Sequence, residues 1–225
     1  MTRPAACLID VYETILSCDF SQHSRKMPAL AGVTPQGWHA GISRVGPLFN
    51  VGRLTKTEGF GQILREYGVE PRTDLVRALV EADRELLLAS AHLFDDSIPF
   101  LEKLRSRGVK TAIVSNCSEH TRDLLIKLGV PELVDAVILS CEVGAAKPSA
   151  RIFRHALEQL RVPPGAALFV DDQAAFCAGA AALGISAAQI IRGKGDGADG
   201  VDGQVPTAGI AVVRSLAEVE AILWG

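Results

Sequence analysis

Four short polar stretches hold the side chains best suited to chemistry: Asp10, Ser115-Asn116, Lys147-Pro148 and Asp171-Asp172. Asp10, Ser115 and Asp171 each end a short apolar run of the kind that forms a strand buried on both faces of a sheet. Lys147 stands where a helix is predicted to begin. Because ligands bind beyond the carboxyl ends of parallel strands, we expect the four stretches to meet at one sheet edge. Taken alone, Asp10 could equally cap the turn after its strand.

The residue types in these stretches suit attack on a bound phosphate. A carboxylate such as Asp10 is a nucleophile when the attacked group is held in place and its charge is offset. The hydroxyl of Ser115 and a nearby backbone N–H can hold phosphate oxygens, and Asn116 can either orient the substrate through its side-chain amide or supply that N–H. Lys147 can neutralise negative charge. Asp10 and Asp172 offer oxygen ligands for a hard cation such as Mg²⁺, which would bridge to the phosphate.

From residue 97 onward, predicted helices alternate with predicted strands. The strands are expected at residues 109–114, 136–139, 166–170, 187–191 and 210–213, and Ser215 with Glu218 predicts a capped final helix. Such alternation builds a parallel sheet with helices on both faces, which is an α/β fold. Residues 193–209 are rich in Gly and Asp, and we expect a mobile surface loop there rather than a calcium site.

Residues 17–93 have a different pattern, with apolar residues three and four positions apart and no convincing strand. Helices are predicted over residues 37–48, 60–67 and 75–88, with Thr57 starting the second and Gly68 ending it. The interpretation is a small helical insertion, residues 17–93, within a sheet domain formed by residues 1–16 and 94–225.

Composition disfavours several classes of protein. The 225 residues, 48% of them hydrophobic, suffice for one large core with an insertion. The net charge of −3, with both signs mixed along the chain, argues against a nucleic-acid partner. No apolar stretch approaches the roughly 18 residues of a membrane span, and the N-terminus does not look like a signal peptide. The five cysteines form no C-x-x-C pair, which favours a reducing, cytoplasmic location.

Taken in order, the four stretches resemble the motifs of the haloacid dehalogenase-like superfamily: Asp10-x-x-x-Thr14, Ser115-Asn116, Lys147-Pro148 and Asp171-Asp172. The resemblance covers nearly the whole chain. It implies a Rossmann-like core with a helical cap inserted after the first motif, and an aspartyl-enzyme intermediate on Asp10. It also implies a Mg²⁺ ion held by Asp10, the backbone carbonyl of Tyr12, Asp171 and Asp172.

Tyr12 departs from the superfamily's phosphatases, most of which have a general acid and base Asp at this position. The 2-haloacid dehalogenases have a Tyr there, and they release halide, so no leaving-group oxygen needs a proton. The next position is usually Gly in both groups and is Glu13 here, which would be strained if the turn needs a positive φ. With an unperturbed pKa of about 10, the phenol of Tyr12 is a poor base but a possible hydrogen-bond donor.

The fourth motif points to the phosphatases instead. Asp171-Asp172-Gln173 resembles their Mg²⁺-binding motif, whereas the dehalogenases have hydroxyl and amide residues at these positions. At the position of Phe176, the dehalogenases have an Asp that primes the hydrolytic water, and the phosphatases often have Asn. Without a metal, an acidic pair in a low-dielectric cleft would repel a substrate that is itself a carboxylate.

Three functions are therefore compatible with the sequence. The first is Mg²⁺-dependent hydrolysis of a small phosphate monoester, with Asp10, Tyr12, Ser115 and Lys147 as catalytic residues. The second is cleavage of a carbon–halogen bond, as in the 2-haloacid dehalogenases. The third is a binding protein that has kept the fold without the activity, because neither enzyme's proton machinery is complete.

A small anionic substrate would be contacted by Thr14, Asn116 and residues of the cap. Arg44 and Arg53 can clamp an anion bidentately, although exposed helix arginines are common. Trp38 and His39 lie on the same predicted segment as Arg44, where a packing Trp and a solvated His are the simpler interpretations. A monomer and a homodimer both fit the sequence.

Overall fold

The computed structural model describes residues 3–193 and 209–225. Strands in these ranges are β1 (Ala6–Ile9), β2 (Leu16–Cys18), β3 (Ala91–Leu93), β4 (Lys110–Ser115), β5 (Ala136–Leu139), β6 (Ala167–Asp171), β7 (Ser186–Ile190) and β8 (Ala211–Val213). Helices are α1 (Ser21–Ala31), α2 (Pro35–Phe49), α3 (Lys56–Glu66), α4 (Thr73–Ser90), α5 (Ser97–Ser106), α6 (Thr121–Lys127), α7 (Ser140–Val143), α8 (Ala150–Leu160), α9 (Ala174–Ala181) and α10 (Leu216–Trp224).

The main sheet of the described residues has six parallel strands in the order β5-β4-β1-β6-β7-β8. β1 therefore lies in the middle, between β4 and β6, and every residue of β1 is buried. A strand buried on both faces has no reason to alternate polar with apolar residues, which explains its continuous apolar run. The α/β fold with a Rossmann-like parallel sheet is confirmed.

Two hydrophobic clusters cover the two faces of the sheet. Cys7 and Ile9 of β1 point to one face, where α5, α6 and α10 pack, while Ala6 and Leu8 point to the other, against α8 and α9. This split follows the two-residue period of a strand. The sheet is thus fixed between two helical layers, and the ends of its strands are positioned by a rigid core.

Helices α1 to α4 pack around a third hydrophobic cluster, which includes Trp38, Phe49 and Phe60. The expectation that residues 17–93 contain no strand was wrong, because β2 and β3 pair antiparallel at the two ends of this segment. At three residues each, they are too short to show a two-residue period. The assignment of residues 17–93 as a separate insertion remains a prediction.

Two further details of this segment differ from expectation. Helix α1 was not predicted; it contains Pro28, a residue that normally argues against a helix interior. The N-cap of helix α3 is Thr55, two residues before the expected Thr57, because the side chain of Thr55 accepts from the backbone of Glu58 in a capping box.

The Gly- and Asp-rich loop predicted for residues 193–209 lies almost wholly outside the described residues. Within those residues, no helix is long and apolar enough to cross a membrane.

The turn after β1 keeps the shape expected for a glycine although it contains Glu13. The φ angle of Glu13 is 55°, in the left-handed region. The backbone N–H of Glu13 donates to Leu16 O at 2.7 Å, and the N–H of Leu16 donates to Val11 O at 3.1 Å. These backbone hydrogen bonds hold the turn, and the positive φ of Glu13 destabilises the fold by about 1 kcal/mol.

We predict that Glu13→Gly raises the free energy of unfolding by up to about 1 kcal/mol, because glycine adopts a positive φ without strain. Urea denaturation followed by circular dichroism measures the change. Glu13→Ala is the matched control, since it removes the same carboxylate but keeps the Cβ atom. An equal gain in both variants would assign the effect to charge and contradict the backbone explanation.

Candidate active site

Strand register brings Asp10 level with Asp171 at the carboxyl edge of the sheet. Ile9 pairs with Val170, and the N–H of Asp10 donates to Val170 O at 2.9 Å. Asp10 is 5% exposed, and the side chain of Asp171 is fully buried. Two carboxylates buried side by side require a counter-charge.

Lys147 supplies this counter-charge. Its Nζ atom lies 2.5 Å from Asp10 Oδ1 and 2.6 Å from Asp171 Oδ2, and its side chain is inaccessible to solvent. The rings of Phe169 and Phe176 face the same ammonium group, at 5.5 and 5.1 Å from their centroids. The position of Phe176, where related enzymes have Asp or Asn, thus contributes a cation–π contact.

Asn116 fixes the backbone of Lys147. The side-chain Nδ2 of Asn116 donates to Lys147 O at 2.9 Å, and Lys147 N–H donates to Asn116 Oδ1 at 2.7 Å. Because both ends of its side-chain amide are used in this way, Asn116 fixes the position of Lys147. A substrate contact through the backbone N–H of Asn116 remains a prediction.

Burial dominates the electrostatics of the site. It raises the pKa of Asp10 to about 7, against the lowering effect of Lys147, with the charge of Asp171 raising it further. Burial likewise raises the pKa values of Asp171 and Asp172 to about 6. Burial disfavours the charged form of Lys147, but the two carboxylates beside it outweigh this, and its pKa is raised. The cluster carries more negative charge than one lysine can offset.

The carboxylates of Asp10, Asp171 and Asp172 fit a divalent cation. They offer oxygen atoms that all lie within 4.8 Å of one another, and oxygen ligands are those that Mg²⁺ prefers. Asp171 also accepts from Lys147 and, through Oδ1, from the N–H of Gln173 at 2.8 Å. All three carboxylates are candidate ligands. The backbone carbonyl of Tyr12 remains a predicted ligand.

Tyr12 is in a position where it stays protonated. Its hydroxyl lies 2.9 Å from Oγ1 of Thr121 on α6, and burial raises its pKa well above the ordinary value. A phenol that does not ionise cannot act as a general base. Thr121 was not singled out in the sequence, because it lies 109 positions from its partner with no local pattern to mark it.

Two hydroxyls of the motifs are buried without a hydrogen-bond partner among the described residues. They are Oγ1 of Thr14 and Oγ of Ser115. Leaving such a group unpaired in a protein interior costs about 1–3 kcal/mol. Both hydroxyls are thus available to bond an oxygen atom of a ligand.

The loop between Asp10 and Thr14 is tied to the opposite end of the chain. Arg192 Nε donates to Thr14 O at 2.8 Å, and its guanidinium pairs bidentately with Asp96 at 2.9 and 3.2 Å. Ser97 Oγ donates to Ile15 O at 2.7 Å. These supports were missed in the sequence, because they connect residues that only the tertiary fold brings together.

A cavity of about 520 Å³ lies beside this acidic centre. Tyr12 and Asn116 line one side, and residues of α1, α2, α3 and α4 line the other, among them Trp38 and His39. Arg44 is not among the lining residues; it forms an ion pair with Glu66, and its side chain is 45% exposed. Arg53 is also exposed. These two arginines therefore do not form part of the proposed substrate site.

A family model described as a haloacid dehalogenase-like hydrolase matches residues 4–184. The chain belongs to the haloacid dehalogenase-like hydrolases. This confirms the resemblance drawn from the four motifs and the expectation of a hydrolase. The match extends from the first strand, through the helical segment, to the end of α9.

Both chemistries of the family occur among the relatives of this haloacid dehalogenase-like hydrolase. It is 29% identical over 197 residues to a glyceraldehyde 3-phosphate phosphatase of Methanopyrus kandleri, covering 84% of each chain. It is 28% identical over 197 residues to (S)-2-haloacid dehalogenase 1 of Pseudomonas sp., covering 83% of this chain and 84% of that one. A solved structure of a HAD phosphatase from Thermococcus onnurineus aligns with a TM-score of 0.66, 26% identity and 98% coverage of both chains.

The raised pKa values predict how stability depends on pH and Mg²⁺. Without metal, a carboxylate with a raised folded-state pKa stabilises the fold fully below its unfolded pKa and loses that contribution as pH rises through 6 to 7. Bound Mg²⁺ replaces the protons, so its stabilising effect should grow over the same range. At saturating Mg²⁺ and pH 8, we expect a rise in melting temperature of about 5 °C, and almost none at pH 5.

Differential scanning fluorimetry with EDTA or MgCl₂ measures both effects. Asp172→Asn is the test variant and should lose most of the Mg²⁺ response at pH 8. Asp123→Asn is the matched control, because Asp123 lies on α6 and pairs with Arg84 outside the acidic cluster. A Mg²⁺ response that is independent of pH, or equal in both variants, would contradict a metal site at Asp10 and Asp172.

Proposed function

We propose that this hydrolase is a Mg²⁺-dependent phosphatase that hydrolyses a small phosphate monoester through Asp10. The observation that carries the proposal is the cluster of three carboxylates around one lysine, with oxygens within 4.8 Å of one another. Such a cluster provides a nucleophile and oxygen ligands for a divalent cation in one place. When bound, Mg²⁺ supplies positive charge that screens the phosphate from the carboxylates.

Each residue has a role in the proposed reaction that follows from its surroundings. Asp10 attacks phosphorus, the P–O bond to the alcohol breaks and the alcohol departs, and water then hydrolyses the aspartyl phosphate to release phosphate and free Asp10. Lys147, in contact with Oδ1 of Asp10, favours the ionised form of this carboxylate and offsets charge on the phosphate. The unpaired hydroxyls of Ser115 and Thr14 donate to phosphate oxygens. Asp171 and Asn116 hold Lys147 in place. Residues 17–93 act as a cap that covers the substrate, with the cavity beneath it.

Dehalogenation is the second candidate, and Tyr12 favours it. Against it stands the acidic cluster, since a haloacid would bring a fourth carboxylate toward Asp10, Asp171 and Asp172. Phe176 is also unable to prime a water molecule, because its side chain has no group that can accept a proton. The third possibility, a binding protein without activity, predicts that Asp10 is dispensable.

The free state of all five cysteines supports a reducing, cytoplasmic compartment.

We predict Mg²⁺-dependent hydrolysis of 4-nitrophenyl phosphate, abolished by EDTA and reduced at least about 10³-fold in Asp10→Asn, because the nucleophile is lost. The assay measures released 4-nitrophenolate and, in parallel, halide from 2-chloropropionate. Asp95→Asn is the control, because Asp95 is an exposed Asp beyond the short strand β3 that no contact among the described residues joins to Asp10. Halide release that survives EDTA would establish dehalogenase activity instead. No turnover of either substrate would contradict both enzyme functions and favour a binding protein without activity.

A half-buried, neutral Tyr12 in place of an acid predicts strong dependence of the rate on the leaving group. Without a proton donor the alcohol leaves as an anion, so kcat should fall steeply from 4-nitrophenyl to phenyl to alkyl phosphates. Tyr12→Asp should raise kcat on an alkyl phosphate relative to 4-nitrophenyl phosphate by at least about tenfold, since general acids contribute about 10²–10⁴-fold. Tyr12→Phe keeps the ring and should keep the steep dependence. A shallow dependence in the wild-type enzyme would show that another group protonates the leaving oxygen.

A further inference from the structure

The cavity beneath α1 to α4 has a polar end that the proposed reaction does not use. Three residues form this inner polar cluster: His23 on α1, Lys56 on α3 and Asp83 on α4. Lys56 Nζ lies 3.0 Å from Asp83 Oδ2, and only 12% and 13% of the two side chains are exposed. His23 Nε2 lies 3.2 Å from Asp83 O and 3.8 Å from Asp83 Oδ1. A largely buried ion pair in a cavity wall is costly to desolvate and needs an explanation.

The ammonium group of Lys56 has more hydrogen-bond donors than the inner polar cluster satisfies. Lys56 has three N–H donors, and Asp83 is the one carboxylate or carbonyl that accepts from its ammonium group within the described residues. The rings of Phe49 and Phe60 lie over the rest of that group, at 5.0 and 5.5 Å. Nε2 of His23 donates to Asp83 O, so Nδ1 of the neutral ring, which is buried without a partner among the described residues, is an acceptor. The unused donors of the cluster are therefore those of Lys56.

The charge of Asp83 is already offset by Lys56. Nε2 of the buried His120 also lies 3.7 Å from Asp83 Oδ2, but burial lowers the pKa of His120, which favours its neutral form. A ligand cation would therefore have to compete with Lys56 for one carboxylate. A ligand anion would instead meet the unused donors of Lys56. These donors favour an anionic group beside Lys56.

Most of the other side chains that line the cavity are apolar. They include Phe20, Met27, Trp38, Ile42, Phe49 and Leu87. Such a wall suits a ring or a branched carbon skeleton. The volume of about 520 Å³ is much larger than a three-carbon phosphate would need.

We infer that the substrate is a phosphate ester of a phenol or similar ring alcohol that also carries a carboxylate, and that Lys56 binds this carboxylate. The inference rests on the proposed phosphatase function and deepens it. A phenol also fits Tyr12, because a phenolate leaves without a proton from this residue.

The test compares kcat/KM for phenyl phosphates with different groups at the 4-position: carboxymethyl, carboxyethyl, methyl and aminomethyl. The better carboxylated ester should exceed the methyl ester by about 10–100-fold, mainly through KM, as a charge-assisted hydrogen bond would give. Lys56→Met should reduce this preference to about twofold or less. Lys26→Met is the matched control, an exposed lysine on α1 outside the cavity lining, and should keep the preference.

A binding measurement separates this inference from the proposed function and needs no variant to fold. Isothermal titration calorimetry of the wild-type protein should show 4-hydroxyphenylacetate or 3-(4-hydroxyphenyl)propionate binding at least about tenfold more tightly than 4-methylphenol. Binding of these acids without phosphatase activity would overturn the proposed function and support the carboxylate site. Hydrolysis of all four esters with equal kcat/KM, or a preference for the aminomethyl ester, would overturn the carboxylate site and leave the phosphatase intact.

Discussion

One buried ammonium group, that of Lys147, holds the centre of this protein together. It lies within 2.6 Å of carboxylate oxygens from two different strand ends, those of Asp10 and Asp171. Neither carboxylate could remain ionised in this position without it, since burial alone raises their pKa values. Yet one positive charge faces three carboxylates, so the arrangement is incomplete electrostatically. A divalent cation is what the remaining charge would attract.

The rest of the fold serves to bring this lysine to that point. The parallel register of β1 with β6 sets the two carboxylates side by side. Asn116, just beyond β4, grips the backbone of Lys147 through both ends of its amide. Gly179 on α9 allows the chain after Lys147 to come close, because a Cβ atom there would lie 2.7 Å from Pro148 Cβ. The site therefore depends on packing between α9 and this loop as much as on the motif residues.

The sheet and the polar ends of its strands could be predicted because they depend on local signals. Each buried strand is a short apolar run that ends in a polar residue, as at Asp10, and each following helix has a cap or a glycine. The short strands β2 and β3 could not be predicted, since three residues show no period and their pairing spans the whole helical segment. The same holds for the contacts of Tyr12 with Thr121 and of Arg192 with Thr14, which join residues 109 and 178 positions apart. The ion pair of Arg44 with Glu66 could not be predicted for the same reason, since no local pattern connects the two residues.

Two aromatic residues, Tyr12 and Phe176, stand at motif positions where the family resemblance implies polar groups in the phosphatases: an acid–base Asp at the first and often Asn at the second. Tyr12 keeps its proton because desolvation raises its pKa, and Phe176 has no proton to exchange. By excluding water, these rings strengthen the electrostatic interactions of Asp10 and Lys147, but neither of them can act as a general acid. The chemistry that such a site can support is therefore one in which the departing group is already stable as an anion. A phenolate bound in an apolar, aromatic-lined cavity is such a group, so the missing acid and the shape of the cavity lead to the same class of substrate.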